Sequence, residues 1–568
     1  MKKHYLRLEQ RLVEWIGRCS KSHLILFILG GLIVLNLGVL VIPDIPHAHD
    51  LSFQLSRISS IAESFKLGEI PRVYLSYLND YGYANGLFYG DLLLYIPALF
   101  VSLGMNVILA YKIFLVFITV ATMASVYFCV KTLVKSRYAG LVAVTLCTLS
   151  SYRVIDIFIR GALAEVCAFI FIPLIIAGLY EVIYGNPKRW YWLSLGFAGC
   201  FLTHNISFAL MVGFTFLFVC FGVKQFWKEK SRFGYLVLAT VVTIGMVSYF
   251  LFPMLEQMMS DQFVLTTETV STDVAASTRS IVEVFFALPY AKYDGIAGIG
   301  IVFFVVLILR LNKRNGHFHL NQFTDQLFLF AILSIWAVTP LFPWKLVLRI
   351  LAPLAMIQFS WRLFLTITVF LSLLGGVYAM RTMTNIKHKV RFYGLIIVLL
   401  MIPYLLNVGG QYASYLYHTR VTGLIQPVDL STYSIGLGEY LPMGANPNKI
   451  SERGEIITSN DDQLEVTFSR RGLTLSVNYH GASPSAYIDL PLIYYKGYQV
   501  DDSSLTVEKS DQGLVRVQLN GQDEGSFTIS YEGTTLAHVT VWVSFLTVTG
   551  VIIYICWNTK NSKQRRVN

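Results

Sequence analysis

Long apolar runs separated by short polar stretches dominate the chain. Thirteen of them, near residues 24–42, 87–104, 107–130, 138–156, 164–184, 190–203, 206–223, 233–253, 294–309, 325–342, 362–380, 392–408 and 539–557, approach the length that crosses a hydrocarbon core of about 30 Å. The pattern predicts an α-helical polytopic membrane protein. Lysine and arginine gather in short groups between the runs, as in Lys131, Lys135 and Arg137, in Lys224, Lys228, Lys230 and Arg232, and in Arg381, Lys387, Lys389 and Arg391. Both ends are basic as well, through Lys2 and Lys3 and through Lys560, Lys563, Arg565 and Arg566. If basic segments stay in the cytoplasm, the number of spans is even, and demoting 87–104 puts the basic groups inside. That run then lies as a re-entrant or interfacial helix on the outer face, which leaves about twelve spans with both termini cytoplasmic.

Two stretches break the pattern. Within an outer loop, 43–106, Leu51, Leu55, Ile58, Ile61, Ala62 and Phe65 recur at three- and four-residue spacing, while Gln54, Arg57 and Glu63 fall elsewhere. This predicts an amphipathic helix lying flat on the membrane. Between 409 and 538 the period shortens to two, in 464–468, 473–479, 515–519 and 527–531, with Asn520-Gly521, Glu524-Gly525 and Glu532-Gly533 as turn signals. A small extracytoplasmic β-sandwich before the last helix is expected. The domains are therefore 1–408, transmembrane; 409–538, β-sandwich; and 539–568, the last transmembrane helix with a basic cytoplasmic tail. The polar loop 254–293, with Thr266-Thr267-Glu268-Thr269 and Ser271-Thr272-Asp273, reads equally as a mobile lid or a plain linker.

Composition agrees with the membrane reading. The 568 residues are 55% hydrophobic and 14% aromatic, with a net charge of +11. The basic residues are dispersed between apolar runs and form no continuous face, so nucleic acid is not an expected partner. Nearly all the cysteines lie within apolar runs, and none falls between Cys220 and Cys556, so neither a disulfide framework nor a zinc site is implied. The first run follows a basic segment and has no small-residue cleavage site behind it, so it reads as a signal anchor.

The candidate chemistry lies at the outer boundary. On the twelve-span topology Asp50, Asp80, Asp91, Arg153, Asp156, Arg160, Glu165, His204, Lys345, Arg349 and Arg362 converge there, where charges are costly unless they pair or line a wet cavity. Each has a plain structural reading. Arg153 and Asp156 would make a paired helix end, and His204 would mark a tight turn between two helices. Asp50, flanked by His47 and His49 after the first span, is the expected centre of the site. A partly desolvated carboxylate has its pKa raised toward the value a general base needs. The same spacing permits a divalent cation held by His47, His49 and Asp50, against the plainer reading of solvated or hydrogen-bonded histidines.

An ordered set of motifs carries a resemblance across nearly the whole chain. It comprises His49-Asp50, the Gly-Leu-Phe-Tyr-Gly-Asp-Leu-Leu-Leu-Tyr-Ile-Pro run at 86–97, Arg160-Gly161-Ala162-Leu163-Ala164-Glu165, Ile357-Gln358-Phe359-Ser360-Trp361-Arg362, and Gly438-Glu439-Tyr440-Leu441-Pro442. The set resembles the GT-C superfamily of integral-membrane glycosyltransferases. Within it the nearest match is to the YfhO-like bacterial membrane proteins, related to the 6-pyruvoyl-tetrahydropterin-synthase-related membrane domain. The resemblance implies a plasma-membrane enzyme that moves a sugar from a polyprenyl-phosphate carrier to a hydroxyl of an envelope lipid or polymer on the outer face. It further implies Asp50 as the base, Arg160 and Arg362 on the donor phosphate, and His49, Asp91, Glu165, His204 and Glu439 as supporting or substrate-binding residues. Trp361 and Tyr89 are candidates to stack on sugar or prenyl groups. The rival readings are a lipid or polysaccharide transporter or flippase and a non-catalytic envelope assembly protein. Against a transporter, the two halves show no matching pair of broken helices.

Overall fold

The computed structural model describes residues 20–267, 274–286, 298–418 and 432–567. The basic N-terminal group and the Glu268 to Asp273 part of the Thr/Ser-rich loop lie outside the described residues. The chain divides into two compact units. One combines Met1–Leu51, Lys112–Thr240 and Thr272–Val428, and the other combines Ser52–Tyr111, Val241–Ser271 and Asp429–Asn568.

Among the described residues, eight helices are long and apolar enough to cross a membrane: Ser22–Val41, Val107–Val134, Leu163–Ile183, Asn205–Lys228, Ser231–Ser260, Ser360–Thr382, Ile386–Leu416 and Thr535–Lys560. The bent pair Arg137–Thr148 and Ser151–Arg160, with 44° between its halves, would make a ninth. Three of the expected spans fall on shorter helices. Run 190–203 falls on the 11-residue Tyr191–Phe201, 294–309 overlaps the 10-residue Ile301–Arg310, and 325–342 overlaps the 16-residue Phe323–Val338. At about 1.5 Å per residue, a helix of ten or eleven residues reaches roughly half the hydrocarbon thickness. The demoted run holds only Asn85–Phe88 and Tyr95–Ser102, too short to cross as helix.

In the first unit, helix Leu363–Thr382 is buried from Leu363 through Ala379. It is apolar on every side because it has no solvent-facing side. The hairpin of Leu163–Ile183 and Tyr191–Phe201 closes tightly at Gly196, where an added Cβ would stand 2.7 Å from the Ile175 nitrogen.

In the second unit, eight strands form two antiparallel sheets ordered β1-β4-β7-β6 and β2-β3-β8-β5. They are β1 (Thr458–Ser459), β2 (Glu465–Arg471), β3 (Thr474–His480), β4 (Tyr487–Ile493), β5 (Tyr498–Val500), β6 (Thr506–Lys509), β7 (Leu514–Gln518) and β8 (Glu524–Tyr531). β3 buries Leu475, Val477 and Tyr479 and exposes the residues between them, as period-two patterning requires. The same unit ties the end of helix Ser231–Ser260 and the residues after it to the sheets. Lys509 pairs with Asp261 at 2.6 Å, and the Lys496 amide donates to Gln257 Oε1 at 3.1 Å.

Helix Leu51–Leu67 differs from its expectation. Leu55, Ile58 and Ile61 are buried as predicted, but so are Gln54, Ser56, Arg57, Ser60 and Ser64. Its polar side is therefore covered by protein, and the helix belongs to the core of its unit. Arg57 donates to Gln54 Oε1 at 3.1 Å and to the Gly90 carbonyl at 2.9 Å, and its guanidinium lies 4.5 Å from the centre of the Tyr89 ring. Periodicity reports which residues are apolar. It does not report that an arginine can be buried against carbonyls and aromatic faces.

Candidate functional site

Helix Ser151–Ile155 runs into a π-helical turn, Asp156–Arg160, that stops at Gly161. Such turns gather at functional sites because they break the regular hydrogen-bond ladder. Gly161 has a left-handed φ of 63°, and a Cβ there would stand 3.0 Å from the Leu51 nitrogen and 3.2 Å from Ala48 Cβ. Only a glycine combines that conformation with that approach. The segment carrying His49 and Asp50 docks on this turn through its backbone. The His49 amide donates to the Ile159 carbonyl at 3.2 Å, and the Asp50 amide donates to the Arg160 carbonyl at 2.7 Å.

The Arg160 side chain is buried between two carboxylates. It pairs with Asp156 and, at 2.8 Å, with Glu165. It also donates to the Tyr152 hydroxyl at 3.3 Å, which in turn donates to the other Glu165 oxygen at 2.6 Å. Its guanidinium lies 4.6 Å from the centre of the Trp361 ring, so that ring packs on the arginine. A desolvated guanidinium needs such compensation. The expected Arg153 to Asp156 pair does not form as a hydrogen bond. Arg153 instead donates to the Thr148 carbonyl at 3.3 Å and to Thr119 Oγ1 at 3.0 Å, and Asp156 goes to Arg160. The shared spacing explains this outcome, since Tyr152, Asp156 and Arg160 recur every four residues and lie along one side of the helix.

Asp50 stands at the edge of this cluster with its side chain exposed. Surrounding protein still displaces enough water to raise its carboxyl above the ordinary carboxylate range, while Arg160 and His49 pull it down, Glu165 adds to the rise and Arg362 opposes it. His204 precedes helix Asn205–Phe221 and is buried. Burial lowers its imidazole to about 4, opposed by Glu165 and reinforced by Arg362 and Arg160. It is neutral near pH 7, and its Nδ1 lies 2.6 Å from Ser207 Oγ. Arg362 is half-buried and donates to the Ile357 carbonyl at 3.1 Å and to Gln358 Oε1 at 2.6 Å.

Asp50, His49, Arg160, Glu165, His204 and Arg362 thus share one neighbourhood in the first unit. Asp91 and Glu439 belong to the second unit. There Asp91 is buried and accepts a hydrogen bond from the Tyr74 hydroxyl; burial raises its carboxyl, against Tyr74 and Arg57. Glu439 accepts from the Leu437 amide at 3.2 Å, and Tyr89 packs on Arg57. Among the described residues, no three His, Cys, Asp or Glu side chains stand close enough to hold a metal ion. The His47, His49 and Asp50 ligand set therefore does not assemble: both histidines are exposed, on either side of the buried Ala48. Sequence reading passed over Tyr152 and placed Asp156 at the outer boundary without pairing it with Arg160, although the four-residue repeat of Tyr152, Asp156 and Arg160 was visible.

No family model matches the chain. An uncharacterized protein of Lactococcus lactis subsp. cremoris (strain MG1363) is 22% identical over 582 residues, covering 90% of this chain and 91% of that one. Among solved structures, ArnT from Cupriavidus metallidurans bound to undecaprenyl phosphate aligns with a TM-score of 0.39 at 12% identity, over 72% of this chain and 66% of that chain. The apo oligosaccharyltransferase of Archaeoglobus fulgidus aligns with a TM-score of 0.37 at 12% identity, over 76% of this chain and 62% of that chain. The chain spans just under two thirds of the length of either solved structure. Likeness of this size leaves the site to be read from its own residues.

Proposed function

We propose that the protein is a membrane glycosyltransferase that moves a sugar from a polyprenyl-phosphate donor to a hydroxyl of an envelope lipid or polymer at the outer face of a bacterial plasma membrane. The observation that carries this reading is the backbone bond from the Asp50 amide to the Arg160 carbonyl. It holds a solvent-facing carboxylate in one frame with a buried arginine cluster. The GT-C resemblance of the ordered motifs supports the same chemistry.

In the transfer, the acceptor oxygen bonds to the anomeric carbon while the bond from that carbon to the phosphate oxygen breaks. The acceptor proton passes to Asp50. Arg153, Arg160 and Arg362 formally balance Asp50, Asp156 and Glu165. The leaving phosphate gains a negative charge as Asp50 loses one, so the site keeps its total charge through the step. Arg160 is already matched by two carboxylates, and we assign it to holding the frame. The less buried Arg362 takes the phosphate, where its planar fork suits two oxygens. Neutral His204 and the Glu165 carboxylate offer hydrogen bonds to sugar hydroxyls.

The test is incubation of purified protein with a panel of prenyl-phosphate sugars, with free prenyl phosphate as the readout. Release by the wild type, lost in a folded Asp50→Asn variant, supports the proposal. Release by neither, or equal release by both, overturns it.

A further inference from the structure

Residues 339–358 of the first unit form a strap whose two ends are fastened and whose middle is bare. At the start, the Arg279 amide donates to the Val338 carbonyl at 2.8 Å, and Trp344 Nε1 donates to the Ala337 carbonyl at 2.6 Å. At the end, the Ser360 amide donates to Ser277 Oγ at 2.7 Å, and Phe359 stacks on Trp361 with ring centres 4.8 Å apart. Between these fastenings run helix Trp344–Ile350 and the 3-10 turn Ala352–Ile357.

The exposed side of the short helix is sorted by chemistry. At about 100° per residue, Lys345 and Arg349 stand near one another, Leu346 and Ile350 follow on the adjoining strip, and buried Trp344 lies on the far side. Leu351, Ala352, Pro353, Ala355 and Met356 continue the exposed apolar strip. Lys345 and Arg349 make no hydrogen bond or ion pair among the described residues. Along the chain itself, no Asp or Glu occurs between Asp325 and Asp429. Two unmatched cations beside a continuous apolar strip match the layering of a bilayer surface, acyl chains below and phosphate headgroups above.

We propose that the strap is a lipid-binding surface lying in the membrane interface, with Lys345 and Arg349 on the phosphate groups of anionic phospholipids and Leu346, Ile350 and Met356 among their chains. The occupant is the surrounding bilayer, chosen by charge complementarity and by the exposure of the apolar strip among the described residues. The proposal does not depend on the transferase reading. Because the strap leads directly into Trp361 and Arg362, it would also fix the height of those residues relative to the headgroups.

The test uses the full chain in nanodiscs, with a bimane fluorophore on Leu346→Cys in a variant whose native cysteines are replaced. Quenching is compared between nitroxide-labelled phosphatidylglycerol and nitroxide-labelled phosphatidylcholine at equal mole fraction. A basic residue near an anionic surface gives about a fivefold preference. The expected result is a several-fold excess for phosphatidylglycerol, falling to a ratio of about one in K345Q/R349Q and retained in K345R/R349K. A ratio of one before substitution, or no quenching by either lipid, overturns the proposal. So does loss of the preference in K345R/R349K. A preference removed by inorganic phosphate at matched ionic strength would assign the cations to a soluble anion and overturn the lipid reading.

Discussion

Each unit buries an arginine among aromatic rings, and the two do so by different means. Arg57 rests on an amide oxygen, a backbone carbonyl and the faces of Tyr89 and Phe53, while the nearby Asp91 accepts a hydrogen bond from Tyr74. Arg160 is enclosed by Asp156 and Glu165, with Tyr152 and Trp361 closing the sides. The first arrangement satisfies both terminal nitrogens of a cation with neutral groups, inside its own core. The second concentrates opposite charges at the edge of an exposed carboxylate, Asp50, and sets that carboxylate by backbone bonds to the same turn. Burial of a charge alone does not mark a site. Paired charges set beside an exposed carboxylate do.

The comparison breaks most easily at Arg160. Arg160→Ala leaves two buried carboxylates unmatched, and removal of one partner of a buried ion pair costs about 3–5 kcal/mol. Thermal unfolding in detergent should show a large loss, partly recovered when Asp156→Asn and Glu165→Gln are added. Arg57→Met removes two hydrogen bonds to neutral groups and contacts with two rings but leaves no carboxylate stripped of an ion-pair partner, so its loss should be the smaller one. An equal or greater loss at Arg57 would erase the proposed difference between the regions. Gly161→Ala forces a side chain into a left-handed position at a cost of about 1–3 kcal/mol and presses on Leu51. It should lower kcat more than it raises the KM for donor, because it shifts Asp50 against the Arg160 turn; a pure KM effect would contradict that coupling. Tyr152→Phe removes one hydrogen bond to Glu165, about 1 kcal/mol, and should shift stability least.

Much of this was legible in the chain, and the failures have physical causes. His49-Asp50, Arg160 with Glu165, and Trp361-Arg362 stood out because charged groups interrupt apolar runs, and the first unit brings them together. The second partner of Arg160 was missed because the (i, i+3) pair of Arg153 and Asp156 looked as suitable as the (i, i+4) pair of Asp156 and Arg160 that forms beside Glu165, and no spacing rule announces a π-turn. Asp91 entered the candidate set through the twelve-span topology and the motif at 86–97, and its hydrogen bond with Tyr74 was not legible because it depends on how 52–111 folds within its own unit. Strand β4 escaped because it is buried on nearly all of its length, so alternation is lost, and β5 and β6 are only three and four residues long. Runs 190–203, 294–309 and 325–342 gave full hydropathy signals yet fall on shorter helices, since apolar composition does not record where a helix ends.

The pH dependence of turnover tests the central claim most directly. The Asp50 carboxyl lies above the ordinary carboxylate range, so its basic form is lost as pH falls through that raised value. Turnover with a prenyl-phosphate sugar should decline on the acid side at a pH above that of a free carboxylate. In Asp50→Asn, still folded by thermal unfolding, turnover should be reduced to background with no acid limb. An Asp50→Asn protein that turns over at the wild-type rate with the same acid limb would contradict the account.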